Sequence, residues 1–332
     1  MPLLIGSAVH VAARLVLDAL VAGRTPPALD DLHDGARLTL NAAWRSSQPR
    51  HVDGFWEHPA IYVALQEIVG RGRLEPFEIL RARGRLFRAL EALVSAPVLA
   101  DLEDCAAGET YLPPPGPLAF APLPGATAWG ALDFAYRHHD MVTVQEALHA
   151  ESAAENPEGG TAETSHARAQ ALRAVPTTAT WCVSDFKTGG GTAVARADEA
   201  LQLGAYGLWM REAGYPSTDG VWLGRIIDLT RRQDRWYVLD AALLAHTQAV
   251  ISADLATLHG LMADPVRALP QPKEAWALAA DQRGCPRCRF RRLCAGELAS
   301  GLRGGMRTAS GGRHVIAGTC GDTTDSGIGV PE

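Results

Sequence analysis

Lysine is nearly missing from this chain: among its 31 Lys and Arg residues, only Lys187 and Lys273 are lysines. A basic excess is missing too. The formal net charge is −6, which argues against non-specific coating of nucleic acid and leaves room only for a local cationic groove. Apolar runs of membrane-spanning length are not expected. Val9 to Leu20 is interrupted by His10, Arg14 and Asp18 and reads as an amphipathic helix, and the N-terminus shows no signal-peptide pattern. The expected location is therefore cytoplasmic, with no membrane partner. Cysteine is sparse, with six residues. In a reducing compartment these are read as metal or cluster ligands or as core residues, not as disulfides. Two catalytic signatures are absent as well. The run Gly189-Gly190-Gly191-Thr192 has its lysine before the glycines and lacks the G-K-[ST] end of a Walker loop, which excludes that ATPase. No G-x-S-x-G element supports an acyl hydrolase, and no internal repeat is visible.

What is present allows a sizeable core: 332 residues, 47% of them apolar, fit one large domain with insertions or two small ones. Ser7 is placed to cap a helix running through Ala22, with Gly23 as its stop, so residues 1–25 form a first helical element. Residues 26–105 keep a helical pattern, clearest over Pro59–Arg71 and Glu78–Ser95. The proline-rich stretch Leu112–Pro124 ends that regime. The core then spans 106–262. Ala128–Tyr136 reads as a strand, and Met141–Val144 as its return strand in a hairpin. Residues 150–176 have no apolar period and read as a flexible insertion. Ala179–Lys187 is the next strand, followed by a helix over 198–213, a strand pair Gly220–Leu229 and Arg235–Leu239, and a helix over 241–262. A cysteine-bearing segment occupies 263–300, and the Gly/Ser/Thr-rich tail 301–332 reads as disordered.

The chemistry begins at Ser184-Asp185-Phe186-Lys187-Thr188-Gly189. Side chains alternate along a strand, so Asp185 and Lys187 project to one side. A carboxylate that holds Mg²⁺ or Mn²⁺, two residues from an ammonium that orients water or offsets phosphate charge, suits metal-assisted phosphodiester cleavage. The bland alternative is a strand end running into a polar turn. Gln202 and Tyr206 are four apart on the following helix and share a face. Asp133 sits in the apolar strand containing Trp129-Gly130-Ala131-Leu132-Asp133, where a buried carboxylate requires a partner. His10 lies one turn after Gly6, on the apolar-leaning part of its helix. Arginines cluster at Arg81, Arg83, Arg85 and Arg88, and again at Arg225, Arg231, Arg232 and Arg235. Each cluster reads as a solvated face or a nucleic-acid contact.

In order, these blocks resemble the RecB-type PD-(D/E)XK nuclease family, with G-x-x-x-H, G-x-x-D, D-x-K-T-G and Q-x-x-x-Y carried by Gly6 and His10; Gly130 and Asp133; Asp185, Lys187, Thr188 and Gly189; and Gln202 and Tyr206. The resemblance implies an α/β fold, a PD-(D/E)XK core with a central mixed sheet flanked by helices, extended by a helical insertion and a cysteine-bearing C-terminal cap. It further implies that His10, Asp133 and Asp185 ligate Mg²⁺ or Mn²⁺, with the Phe186 carbonyl as a further ligand. Lys187 would position the nucleophilic water. Gln202 and Tyr206 would support the site or touch the DNA backbone. One departure stands out: Asp133 and Asp185 are separated by a long polar stretch, whereas the family joins these strands closely. Insertion at a hairpin tip costs little, so Asp133 keeps the role over its rival Glu163.

Cys285, Cys288 and Cys294, set among Arg287, Arg289, Arg291 and Arg292, are spaced for metal or cluster binding, and the arginines are candidate DNA contacts. The group resembles the C-terminal three-cysteine set of Cas4-like and AddB-like nucleases, which implies a [4Fe–4S] cluster. No cysteine precedes His10, so the fourth ligand is open between Cys105 and Cys320, and a zinc site is the alternative cofactor. The expected function is a DNA exonuclease or end-processing nuclease acting on DNA ends, single-stranded by preference, in recombination, repair, phage replication or CRISPR adaptation, with a helicase or recombination protein as partner. A DNA-binding subunit that does not cut is the alternative. A metal-stapled docking protein is a third reading, and it predicts no convergence of His10, Asp133, Asp185 and Lys187.

Overall fold

A computed structural model describes residues 2–46, 75–113, 118–123, 126–130, 132–154, 175–189, 193–267, 269–272 and 275. All belong to one unit, Met1–Trp276; the second unit, Ala277–Glu332, lies outside them. The expectations for helix Pro59–Arg71, for most of the 150–176 insertion, for Glu163 and for the cysteine segment and tail therefore fall outside the described residues.

The chain begins with helices α1 (Pro2–Val21) and α2 (Leu29–Ser46), followed by α3 (Pro76–Val94) and the short α4 (Pro97–Glu103). Helix α1 starts at Pro2, so Ser7 lies within it and is not its cap. Proline is preorganised for a first helical turn, and Leu4 and Ile5 already bury an apolar face ahead of Ser7. Gly23 ends the helix as expected. Its φ of 62° admits the left-handed conformation, and the Gly23 and Arg24 amides donate back to Leu20 and Ala19. Helix α3 opens with Pro76 and a capping box between Glu75 and Glu78.

Strands β1 (Thr110–Tyr111), β2 (Leu118–Leu123), β3 (Ala126–Gly130) and β4 (Phe134–His138) come next, then helix α5 (Met141–Ala154). Two expectations need correction. The stretch Ala128–Tyr136 is not one strand: β3 pairs with β2 in a separate ribbon, β4 joins the main sheet, and Asp133 lies in the break between them. Met141–Val144 begins α5 and is no return strand. The Asp140 carboxylate accepts the Thr143 amide at 3.1 Å and the Thr143 hydroxyl at 2.5 Å, an N-cap that outweighs the β-branched residues.

Strand β5 (Thr180–Lys187), helix α6 (Ala193–Glu212), strands β6 (Trp222–Asp228) and β7 (Gln233–Leu239), and helix α7 (Ala241–Gly260) complete the α/β architecture, with the small pair β8 (Met262–Asp264) and β9 (Leu269–Pro270) after them. The sheet is mixed, in the order β1-β4-β5-β6-β7. Only β5 and β6 run parallel, joined through α6 as a parallel pair requires. Both are buried along nearly their full length, as expected for strands covered on both faces. Alternation divides their side chains. Phe134, Tyr136, Cys182, Phe186 and Ile227 join residues of α1 to α5 in one core, while Ala135, Val183 and Ile226 join α6 and α7 in the other.

Two windows, Leu4–Val21 and Ala241–Gly260, are long and apolar enough by length and composition to cross a membrane. The expectation that no segment reaches that threshold is corrected on composition. Half of the first window is buried within the protein.

Helix α6 approaches its neighbours at backbone range. A Cβ on Gly204 would lie 2.1 Å from Thr247 Oγ1 of α7, and one on Gly224 of β6 would lie 2.9 Å from Leu203. We expect Gly204→Ala to cost about 1–3 kcal/mol by overpacking, with Thr247→Ala in the same chain restoring part of the loss. Urea melts of the two single variants and the double variant check this; additive losses would contradict it.

Candidate active site

The sheet register assembles the site. Strand β4 pairs antiparallel with β5, with Phe134 opposite Ser184 and Ala135 opposite Val183. Carried one residue further, the same register sets Asp133 opposite Asp185. Asp185 then faces the α6 side, as Val183 does, while Asp133, just before β4, turns its carboxylate to His10 of α1 and to the Phe186 amide.

Asp133 holds two elements together. One carboxylate oxygen lies 2.6 Å from Nδ1 of His10 on α1, and the other accepts the Phe186 backbone N–H at 2.8 Å. Asp185 is engaged from the opposite side. Gln202 Nε2 donates to its Oδ1 at 2.9 Å, and the Lys187 ammonium stands 2.6 Å from its Oδ2. Lys187 also donates to Gln202 Oε1 at 2.7 Å, while Gln202 donates to the Tyr206 hydroxyl at 2.8 Å. Gln202 thus spends its amide on three partners, and the four-residue spacing to Tyr206 keeps both on the sheet-facing side of α6. His10, Asp133, Asp185, Lys187, Gln202 and Tyr206 come from four segments and form two groups, His10 with Asp133 and Asp185 with Lys187, Gln202 and Tyr206, joined where the Phe186 amide meets Asp133.

Burial sets the electrostatics. Asp185 has only 4% of its side chain exposed. Desolvation, reinforced by the Asp133 charge and opposed by Lys187, raises its pKa to about 6. Burial works against protonation of His10, yet the hydrogen bond to Asp133 and the charges of Asp133 and Asp185 raise its pKa. Burial and the nearby Asp185 charge also raise that of the Tyr206 hydroxyl. Tyr206 is only 5% exposed, with its hydroxyl held by Gln202.

Asp185 Oδ2 is buried and accepts no well-aligned hydrogen bond; the close Lys187 ammonium is an ion pair without that alignment. A lone pair left over on a buried carboxylate, a second carboxylate opposite and an imidazole beside them form a donor set suited to a hard divalent cation. Among the described residues, no group of three or more His, Cys, Asp or Glu side chains already stands in metal-binding geometry. His10, Asp133 and Asp185 are instead occupied with one another's surroundings. The Phe186 N–H points toward Asp133. A strand residue directs its N–H and C=O to the same side, so the Phe186 carbonyl faces that side as well.

The end of β5 is fixed by further contacts. The Thr188 carbonyl accepts the Thr230 hydroxyl at 2.8 Å and a guanidinium N–H of Arg85, from α3, at 3.4 Å. A Cβ on Gly6 would be 3.6 Å from Thr188 Oγ1, so the start of α1 lies against the same turn.

No family model, curated protein or solved structure matches this chain.

Several contributors escaped the sequence reading. Glu199, Asp228 and Arg235 are all buried. Arg235 donates to both Glu199 oxygens at 3.0 and 2.7 Å and to Asp228 at 3.1 Å, tying α6 to β6 and β7 one turn before Gln202. Arg225 is likewise buried, paired with Asp101, Asp234 and the Tyr136 hydroxyl and lying over the Trp236 ring. For Arg225 and Arg235, the solvated or nucleic-acid-contacting face expected of their cluster is corrected. The signal was their position inside two apolar strands, where an arginine must find carboxylates. Cys182 is buried on the face opposite Asp185, and desolvation pushes its thiol pKa up to about 12. Cys105 donates to the carbonyls of Asp101 and Arg137 at 3.3 and 3.6 Å. The cysteines it would join in a cluster, Cys285, Cys288 and Cys294, its rival Cys320, and arginines 287, 289, 291 and 292 lie outside the described residues.

Gln202→Glu keeps the side chain's shape but removes the two N–H donors and adds a third carboxylate beside Asp185. We expect it to lower stability by at least about 1 kcal/mol, and by no less than Gln202→Ala. Chemical denaturation in EDTA at neutral pH measures both, and a neutral Gln202→Glu would show that the network has no such role.

Proposed function

We propose that this chain is a metal-dependent DNA nuclease of the PD-(D/E)XK kind, allied to the RecB-type and the Cas4-like and AddB-like exonucleases. The observation that carries this reading is the meeting of His10, Asp133, Asp185 and Lys187 at the end of β5, with Gln202 and Tyr206 bonded to the Asp185–Lys187 pair. A chance D-x-K string would have no reason to collect a histidine from α1 and an aspartate from the preceding strand.

In this reading Asp133, Asp185 and His10 hold Mg²⁺ or Mn²⁺, with the Phe186 carbonyl as a further oxygen donor. When bound, the ion supplies Lewis acidity at the scissile phosphate and acidifies the attacking water. The chain's own groups set up the rest. Lys187, 30% exposed, presents its ammonium where a phosphate oxygen or the attacking water is to be oriented, and Gln202 keeps it from folding wholly onto Asp185. Tyr206, behind Gln202, fixes the amide's orientation. The proposed substrate is a DNA end, single-stranded by preference, in the cytoplasm, with a helicase or recombination protein as partner. Cys285, Cys288 and Cys294 are proposed to hold a structural [4Fe–4S] cluster, or zinc in its place, with Cys105 or Cys320 completing the set.

The test is degradation of end-labelled single-stranded and duplex DNA with Mg²⁺, Mn²⁺ or EDTA, beside Asp185→Asn and Lys187→Ala. We expect metal-dependent cleavage that falls by at least about 100-fold in each variant. Binding without cleavage in any metal would favour a DNA-binding subunit that does not cut. Neither binding nor cleavage would sink the proposal.

A further inference from the structure

We propose that Arg81, Arg85 and Arg88 on α3 form a phosphate-binding row that lays single-stranded DNA toward the carboxylate site. This inference rests on the nuclease reading above and identifies how that site would receive its substrate.

Of the four arginines clustered in sequence, the helix selects three. Spaced by four and then three residues, Arg81, Arg85 and Arg88 fall within an arc of about 60°, over a rise of about 10 Å. Arg83 lies off that arc, with its guanidinium 5.0 Å from the centroid of the Phe87 ring. The adjoining side of α3 is anchored: Ala82, Leu86, Ala89, Leu90, Ala92 and Leu93 are buried in the core it shares with α1, so the row runs along the edge of the buried face. The row is therefore carried on a fixed element and not on a loop.

Its position links it to the site. Arg85 donates to the Thr188 carbonyl, one residue beyond Lys187, while Arg81 and Arg88 on either side of it are exposed. The acids of α3 are turned to other tasks: Glu78 closes the capping box and Glu91 pairs with Arg232 at 3.7 Å. In a chain of net charge −6, three guanidinium groups along one helix edge beside an acidic centre form a local exception. Guanidinium forks match phosphate oxygens in geometry as well as charge, and such contacts hold a backbone without reading its sequence. A strand following the row from Arg81 or Arg88 to Arg85 arrives at the turn that ends β5. A site made of two carboxylates repels a polyanion, so a flanking cationic row supplies the attraction the site itself lacks.

The experiment uses the full chain in EDTA with a fluorescent oligodeoxynucleotide of about twenty residues, read by anisotropy over a salt series. Arg81→Gln with Arg88→Gln is expected to weaken binding at least about tenfold and to flatten the slope of log K against log salt by about 1.4, two lost single-strand contacts. Arg81→Lys with Arg88→Lys is expected to recover most of the affinity. This keeps the result readable even if the glutamine pair perturbs folding. A matched loss of charge elsewhere, Arg24→Gln with Arg211→Gln, both exposed, is expected to bind as wild type. Wild-type affinity and slope in the Arg81/Arg88 glutamine pair would overturn the row while leaving a metal-dependent nuclease standing. An equal loss in the Arg24/Arg211 pair would reduce the effect to net charge and overturn it too. A wild-type protein that neither binds the oligonucleotide nor degrades DNA with metal would remove the row together with the nuclease reading.

Discussion

Two carboxylates facing each other across β4 and β5 are the constraint on which the rest of the arrangement depends. Side by side at the end of a buried sheet, Asp133 and Asp185 repel, and each loses hydration that only paired donors can replace. The surrounding structure reads as a set of answers to that cost. His10 and the Phe186 amide serve Asp133, while Lys187 and Gln202 serve Asp185. At one atom, Asp185 Oδ2, the compensation is an ion pair with the Lys187 ammonium at 2.6 Å and not a well-aligned hydrogen bond.

The layers explain how these donors arrive. His10 comes from the helical layer on one face of the sheet and Gln202 from the layer on the other, and they meet only because the site lies at the strand ends. Helix α6 can deliver Gln202 because Gly204 and Gly224 let it sit close to α7 and β6, and because Arg235 ties its Glu199 to Asp228. The buried arginines do structural work through planar forks that satisfy two acids at once. Arg235 bridges Glu199 and Asp228, and Arg225 bridges Asp101 and Asp234. A chain so rich in arginine accordingly uses it in two ways, as a buried staple in β6 and β7 and as an exposed row on α3.

Local patterns legible in the sequence were those with one dominant physical signal. Strand β5, helix α6 and the pair β6 and β7 followed from apolar runs bounded by glycine or charge, and the shared faces of Asp185 with Lys187 and of Gln202 with Tyr206 followed from periodicity alone. Where two signals competed, the reading failed. Met141–Val144 has strand propensity, but the Asp140 cap starts a helix there. Ala128–Tyr136 is apolar apart from Asp133, yet its two halves belong to different sheets, a tertiary choice that no local pattern encodes. Arg225 and Arg235 resemble surface charge until their carboxylates appear: Asp234 and Asp228 are near in the chain, but Asp101 and Glu199 lie 124 and 36 residues away. The pairing of Asp133 with Asp185 across a long intervening stretch was legible only through the family-like order of motifs. Its geometry comes from the β4–β5 register.

The choice of lysine at position 187, in a chain that otherwise nearly always chooses arginine, follows from the same electrostatics. An arginine there would lay a rigid, bidentate fork across Asp185, satisfying both oxygens and sealing the carboxylate, as Arg235 does to Glu199. A compact ammonium carries the same charge without closing the site. Its three donors rotate, so it meets Asp185 Oδ2 and Gln202 Oε1 together and still keeps a third of its side chain open to solvent. It can be drawn from the carboxylate toward an incoming anion without leaving Gln202. In the nuclease proposed above, a group that balances negative charge at one moment and addresses a phosphate at the next has to be a point charge on a flexible stem, and position 187 is where this chain places one of its two lysines.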